Sequence, residues 1–259
     1  MTSRLLTLVL LTAFAAPAFS QTALEPIAAQ VRTEPLLLPA EASIVSLTPA
    51  DPQNPRQAYT LVRTFAADGS FSSEWKTPQI QFQQSFRANG TLITGRQTDL
   101  PNSLTIEATS DPKRASLHTV ITEKGKIKSD KRVDLVPGIV LREELPNIIL
   151  QSWLYGVRDG LKFRSLSPDG GLVADFLIVF RPVTDPTSVS DKYAYPAEFK
   201  EALGVRNSYL VADMSLQGVA SLFYAHHFYL VYEITPSGLE WRGYFGEDPK
   251  KPVFQYLKK

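Results

Sequence analysis

Ile80-Gln81-Phe82-Gln83-Gln84-Ser85-Phe86-Arg87, then Ala88-Asn89-Gly90, then Thr91 to Thr98, is the stretch that decides the fold class. Ile80, Phe82 and Phe86 fall on one side of a two-residue period, and Gln81, Gln83, Ser85 and Arg87 fall on the other. That alternation is the pattern of a strand with one covered face. Asn89-Gly90 supplies the backbone freedom of a tight hairpin turn, so the chain returns along residues 91–98. Working outward, Tyr59, Leu61 and Phe65 alternate with Thr60 and Thr64, and Asp68-Gly69 turns them into residues 70–76. On the other side, Leu104, Ile106 and Ala108 alternate with Ser103, Thr105 and Glu107. Leu117, Thr119 and Ile121 follow, then the turn Glu123-Lys124-Gly125-Lys126. Short strands joined by such turns predict an antiparallel meander.

The meander breaks near residues 137–160. Pro146 suits the first turn of a helix, Asn147 to Tyr155 continues it, and Gly156 ends it. Ile149, Leu150, Trp153 and Leu154 lie on one side of that helix. Strands then resume over 161–167 and 172–181, with Pro168-Asp169-Gly170-Gly171 between them. Phe176 to Phe180 is apolar at every position, which predicts cover on both faces. Residues 182–196 read as a loop, and 196–203 as a short helix stopped by Gly204. Strands over 205–214, 219–223, 228–234, 239–245 and 253–257 complete the reading. The two strand-rich stretches share no residue-level repeat, so the expectation is mainly β: a single antiparallel, strongly curled sheet, an open half-barrel around the 146–155 helix.

The ends bound the compartment. Arg4, the apolar run Leu5 to Ala16, Pro17 and Ala18-Phe19-Ser20 make a Sec-type signal peptide over 1–20, cleaved before Gln21. Residues 21–56, with Pro26, Pro35, Pro39, Pro49, Pro52 and Pro55, read as an extended arm on which Leu36-Leu37-Leu38 docks onto the domain. Residues 57–259 form the β-rich domain. The reading is a bacterial periplasmic or secreted protein: the chain has no cysteine, whereas exported eukaryotic domains often carry disulfides. Absence of cysteine also excludes thiolate catalysis and Cys-ligated zinc. The 27 basic and 26 acidic residues become 26 of each once Arg4 leaves with the leader. An even balance gives no electrostatic reason to expect nucleic acid or an anionic membrane as partner. No later segment is apolar for the ~18 residues of an integral membrane span.

The stretch Glu240-Trp241-Arg242-Gly243-Tyr244-Phe245-Gly246-Glu247-Asp248-Pro249-Lys250-Lys251-Pro252-Val253 runs a Trp-bearing strand into an acidic turn and a basic-Pro-Val return. With the leader and the meander from Tyr59, it resembles bacterial periplasmic curled β half-barrel proteins: lipoprotein carriers and related exported domains of unknown function. The resemblance covers 59–257 in outline. It implies a concave apolar face for acyl chains and lends no catalytic residues.

Catalytic patterns are scarce. Of three histidines, His226 and His227 are adjacent, so strand alternation points them to opposite faces. His118 is distant in sequence, and no metal or cofactor is predicted. No Gly-x-Ser-x-Gly elbow and no phosphate-binding glycine loop occurs. Glu143-Glu144 and Glu247-Asp248 read as solvated turn residues, since a glycosidase pair comes from separate elements. Aromatic residues are the suggestive feature. They fill a core or line a cavity, and the cavity reading takes Phe82, Phe86, Trp153, Phe176, Ile178, His226, Phe228 and Tyr232 as ligand-binding residues. His226, Phe228, Leu230 and Tyr232 share a face by alternation, Trp153 covers the opening, and His226 or Arg96 holds a head group. The expected function is non-catalytic binding of a lipid or other apolar small molecule. The alternative is a structural or assembly role through contacts with envelope proteins, marked by a flat patch or free sheet edge. An outer-membrane barrel fits less well, because the strands are too irregular for a lipid-facing belt.

Overall fold

The computed structural model describes residues 38–111, 113, 116–135, 139–166, 173–204, 208–218, 227–246 and 248–258. The leader, the arm up to residue 37, the strand expected at 219–223, and His226 lie outside the described residues. Fifteen strands form one sheet: β1 Glu41–Leu47, β2 Arg56–Phe65, β3 Phe71–Lys76, β4 Ile80–Phe86, β5 Leu92–Asp99, β6 Leu104–Ser110, β7 Ser116–Glu123, β8 Lys126–Asp134, β9 Ile139–Leu141, β10 Gly160–Leu166, β11 Val173–Val183, β12 Tyr209–Leu216, β13 His227–Thr235, β14 Gly238–Gly246 and β15 Val253–Leu257. Two helices, α1 Leu145–Leu154 and α2 Ala197–Leu203, join them. Among the described residues, no helix is long and apolar enough to cross a membrane.

The sheet runs β8-β7-β6-β5-β4-β3-β2-β1-β15-β14-β13-β12-β11-β10-β9, so β1 stands in the middle and β8 and β9 are the free edges. In each half, strands that follow one another in sequence are neighbours, and from β1 to β8 they form the antiparallel meander that the turn signals predict. Two details differ from the sequence reading. The sheet is mixed, because β9 pairs with β10 in parallel, a non-local choice that no turn residue announces. The last part of the expected arm is β1, bonded to β2 on one side and β15 on the other. Flanking prolines masked it, yet Ala42, Ile44, Val45 and Leu47 are all buried, as a central strand with both faces covered requires.

Three clusters show how the sheet is covered. On one face α1 sets Leu145, Ile148 and Ile149 against Phe163, Ile178, Phe180, Leu210, Leu230 and Tyr232. On the other face, Tyr193, Phe199 and Leu203 pack against Val45, Val211, Val231, Phe245 and Phe254. Phe199 is fully buried, and Gly243 lets α2 come close: a Cβ there would stand 2.7 Å from the Gln255 carbonyl oxygen and 3.6 Å from the Phe199 ring. The third cluster joins the two ends of the sheet, with Phe71, Phe86, Leu92 and Leu117 meeting Ile139, Leu141 and Leu166. That meeting curls the sheet without closing it. β11 is not covered on both faces as its apolar run suggested: Ile178 and Phe180 are buried, but Val179 is exposed. Valine suits the pleat on either side, so a β-branched residue does not by itself reveal cover.

The curl is clamped by Glu144. Its Oε1 accepts from the Leu92 backbone N–H at 2.7 Å, and its Oε2 from the Leu141 N–H at 3.1 Å. Glu144 is 2 % exposed, so the solvated-turn reading of this residue is corrected. A carboxylate can be buried when backbone donors satisfy it. Two amides extend the clamp: Asn147 Nδ2 donates to the Gly90 carbonyl and Gln151 Nε2 to the Asn89 carbonyl. The Asn-Gly turn found in the sequence is therefore also the dock for α1.

Candidate ligand-binding cavity

Between α1 and the middle of the sheet lies a cavity of about 400 Å³. That volume falls at the lower end of small-molecule sites. Its floor follows from register. Ile44 stands opposite both Tyr59 and Leu257, Ala42 opposite Leu61, and Tyr232 opposite Trp241. Alternation turns Ala42, Ile44, Tyr59, Leu61 and Leu257 to the same side, so β2, β1 and β15 give a continuous apolar floor. Trp241, Tyr244 and Tyr232 continue it across β14 and β13, and Pro146, Asn147 and Leu150 of α1 form the roof. Leu38 and Pro39 lie at the wall, so Leu38 of the Leu36-Leu37-Leu38 triplet does reach the domain.

One wall is an aromatic ladder. Tyr59 stacks on Trp75 with centroids 4.8 Å apart, and Trp75 stacks on Phe82 at 5.2 Å. Burial pushes the Tyr59 phenol up to about 12, because an apolar wall disfavours phenolate. Tyr232 is fully buried, its hydroxyl has no hydrogen-bond partner among the described residues, and burial raises its phenol strongly. The charged lining residues are Arg63 and Glu240. Glu240 accepts from Arg242 at 2.9 Å, and Arg242 also contacts Glu233 at 2.5 Å. Arg63 donates from Nη1 to the Pro39 carbonyl at 2.9 Å, and burial lowers its pKa.

Of the residues singled out in the sequence, Tyr232 lines this cavity. Phe82 ends the ladder behind the wall and borders a separate gap of about 20 Å³, room for one water. Phe86 stacks on Phe71 in the core at 5.0 Å, and Phe176 on Phe163 at 5.5 Å. Ile178 is fully buried under α1, and Phe228 packs at the edge of that same cluster. Trp153 meets Phe180 edge-on and lies 3.9 Å beneath the Arg158 guanidinium, which donates to the Trp153 carbonyl at 2.7 Å. Trp153 therefore finishes α1 rather than covering the opening. Arg96 pairs with Glu107 on the outer face, away from the cavity. Sequence reasoning missed Leu61, Ile44, Leu257 and Trp241 as wall residues. The strands of Leu61, Trp241 and Leu257 were visible, but not that of Ile44, nor that β2, β1, β15 and β14 are neighbours.

Two polar arrangements lie elsewhere. On the outer face of β4–β7, a depression of about 480 Å³ is lined by Gln83, Ser85, Thr94, Arg96, Glu107 and His118, among others. Its side chains satisfy one another: Ser85 bonds Thr94 at 2.6 Å, and His118 bonds Asp130 at 2.7 Å. Across β11, β12 and β13, Arg181 and His227 both contact the buried Asp213, at 2.8 and 2.5 Å. That row orients the His227 imidazole on a buried carboxylate. Among the described residues, no group of three or more His, Cys, Asp or Glu could hold a metal ion.

No protein-family model and no curated protein matches the sequence. Among solved structures, the chain is similar to a β-barrel-like protein of the domain of unknown function DUF1849 from Brucella abortus. The match has a TM-score of 0.51 at 10 % identity and covers 86 % of this chain and 97 % of that one. It bears on the fold alone, and agrees with a curled, barrel-like sheet.

Proposed function

We propose that this chain is an exported, non-catalytic β-domain that binds an apolar, lipid-like ligand in the cavity beneath α1. The observation that carries the reading is the cavity of about 400 Å³, walled by Ile44, Leu61, Leu257, Trp75 and Trp241. A space of that size, lined mostly by apolar side chains, lies within the range of small-molecule sites, which supports the reading. Each buried methylene of a bound chain contributes about 0.8 kcal/mol, so a medium chain binds without elaborate polar recognition. Export rests on the leader pattern of residues 1–20.

An assembly role through the sheet edges is less well supported. β9 is three residues long and buried. β8 carries Lys126, Lys128, Asp130, Lys131, Arg132 and Asp134, and a charged edge discourages strand addition. The test is native mass spectrometry of protein purified from cells, before and after solvent extraction, with binding of a fluorescent fatty acid to the stripped protein. Leu61→Trp, which fills the cavity, should abolish dye binding while leaving the melting temperature within a few degrees. Absence of any co-purified lipid together with unchanged dye binding in that variant refutes the proposal.

A further inference from the structure

We infer that the ligand is an anionic single-chain amphiphile, with its head group held at Arg63 and its chain running across the sheet toward Tyr232. The inference rests on the cavity being a ligand site and adds the class of molecule it takes.

The charges around the cavity are unequally satisfied. Glu240 has Arg242, and Asn147 is engaged with the Gly90 carbonyl. Arg63 has no carboxylate partner among the described residues: its guanidinium makes one bond, to a backbone carbonyl. A half-buried guanidinium with most of its N–H groups uncommitted is matched in shape and charge to a carboxylate or phosphate, which it can hold through two parallel bonds. Its lowered pKa has desolvation as its cause, and an anion would relieve that penalty.

Position gives the direction. The Arg63 backbone N–H bonds the Ala40 carbonyl, beyond the Leu61–Ala42 row, so Arg63 stands at one end of the floor. Tyr232 is fully buried on β13, four strand steps from β2. At ~4.8 Å per step those strands lie about 19 Å apart along the sheet, the reach of an extended alkyl chain. Between them the floor is Ile44, Leu257 and Trp241.

The experiment compares binding of dodecanoate, dodecyl phosphate, dodecanol and acetate to the stripped full chain by calorimetry. Wild type, Arg63→Gln and Tyr232→Phe are each also checked by thermal melt. The expected result is that both anionic chains bind at least tenfold more tightly than dodecanol, while acetate does not bind. Arg63→Gln should bring the anionic chains down to the level of dodecanol with its own binding and melting temperature unchanged, and Tyr232→Phe should keep the preference. Equal affinity of wild type for dodecanoate and dodecanol overturns the inference while leaving the cavity reading intact. Preference lost in Tyr232→Phe but kept in Arg63→Gln places the head at the wrong end and also overturns it. Acetate binding as tightly as dodecanoate reduces the site to a free-anion site. Failure of every chain to bind removes the cavity reading as well.

Discussion

Replacing Glu144 by alanine should destabilise this protein more than any surface change. Both carboxylate oxygens of this buried residue accept backbone N–H bonds, one from Leu92 at the start of β5 and one from Leu141 at the end of β9. Hydrogen bonds to a charged group contribute about 1.5–3 kcal/mol each, so losing both costs about 3–6 kcal/mol. A domain of this size has about 5–15 kcal/mol to lose, and a melting shift of roughly 10–20 °C follows. Glu144→Gln keeps one acceptor and turns an amide NH₂ toward the other donor, so it should lose about half as much. Urea unfolding of the three proteins measures the free energies. Amide exchange at Leu92 and Leu141 reports the clamp directly, and both amides should exchange faster in Glu144→Ala. A loss below about 1 kcal/mol, with Leu92 and Leu141 still protected, would show that the curl is held by the apolar cluster alone.

Phe199→Ala should cost about 3–5 kcal/mol by urea titration, because it empties the fully buried centre of the layer under α2. Gly243→Ala should also destabilise, since its Cβ would stand 2.7 Å from the Gln255 carbonyl oxygen, and a stability equal to wild type would contradict the packing of α2 on β14. Tyr59 makes a pH prediction. Its folded pKa of about 12 exceeds the unfolded value near 10, so the folded state holds the proton longer. The associated stability is full below pH ~10 and lost between ~10 and ~12, about 2–3 kcal/mol in all. The wild-type advantage over Tyr59→Phe should shrink across that window in paired denaturation curves. A chelator should leave the melting temperature unchanged, and a fall of many degrees would instead point to a metal held by the histidines.

The local elements were legible because their signals are local. Gln81, Gln83 and Ser85 alternating with Phe82 and Phe86 made β4, and Asn89-Gly90 made its turn. Pro146 and Gly156 bracketed α1, and Gly204, at φ 67°, ended α2 as read. What escaped depends on contacts between distant residues. β1 is framed by Pro39 and Pro49, so only its two partners reveal it. Glu144 looked like a turn residue because its donors, Leu92 and Leu141, are set by the curl. The sequence reading brought Phe82 and Phe86 to face Phe176 and Ile178 around one space. The curl instead packs Phe86 into the seam with Leu166, and the open space lies across the middle of the sheet, where Tyr59, Ile44, Leu257 and Trp241 adjoin. Which strands neighbour each other in a fifteen-stranded sheet is a global property, and the cavity inherits it.

The place of β1 also constrains how the protein can be made. As synthesis proceeds, β1 can pair at once with β2, the next strand along. Its other neighbour is β15, where Ile44 meets Leu257, roughly two hundred residues later. Pairings of such long sequence separation form slowly. Until residues 253–257 arrive, β1 and β14 each present a bare row of backbone donors and acceptors in the middle of the future sheet. Their apolar residues, Ile44, Val45 and Phe245 among them, make those rows adhesive. A chain cut short by a dozen residues would therefore be two sticky half-sheets rather than a slightly smaller protein.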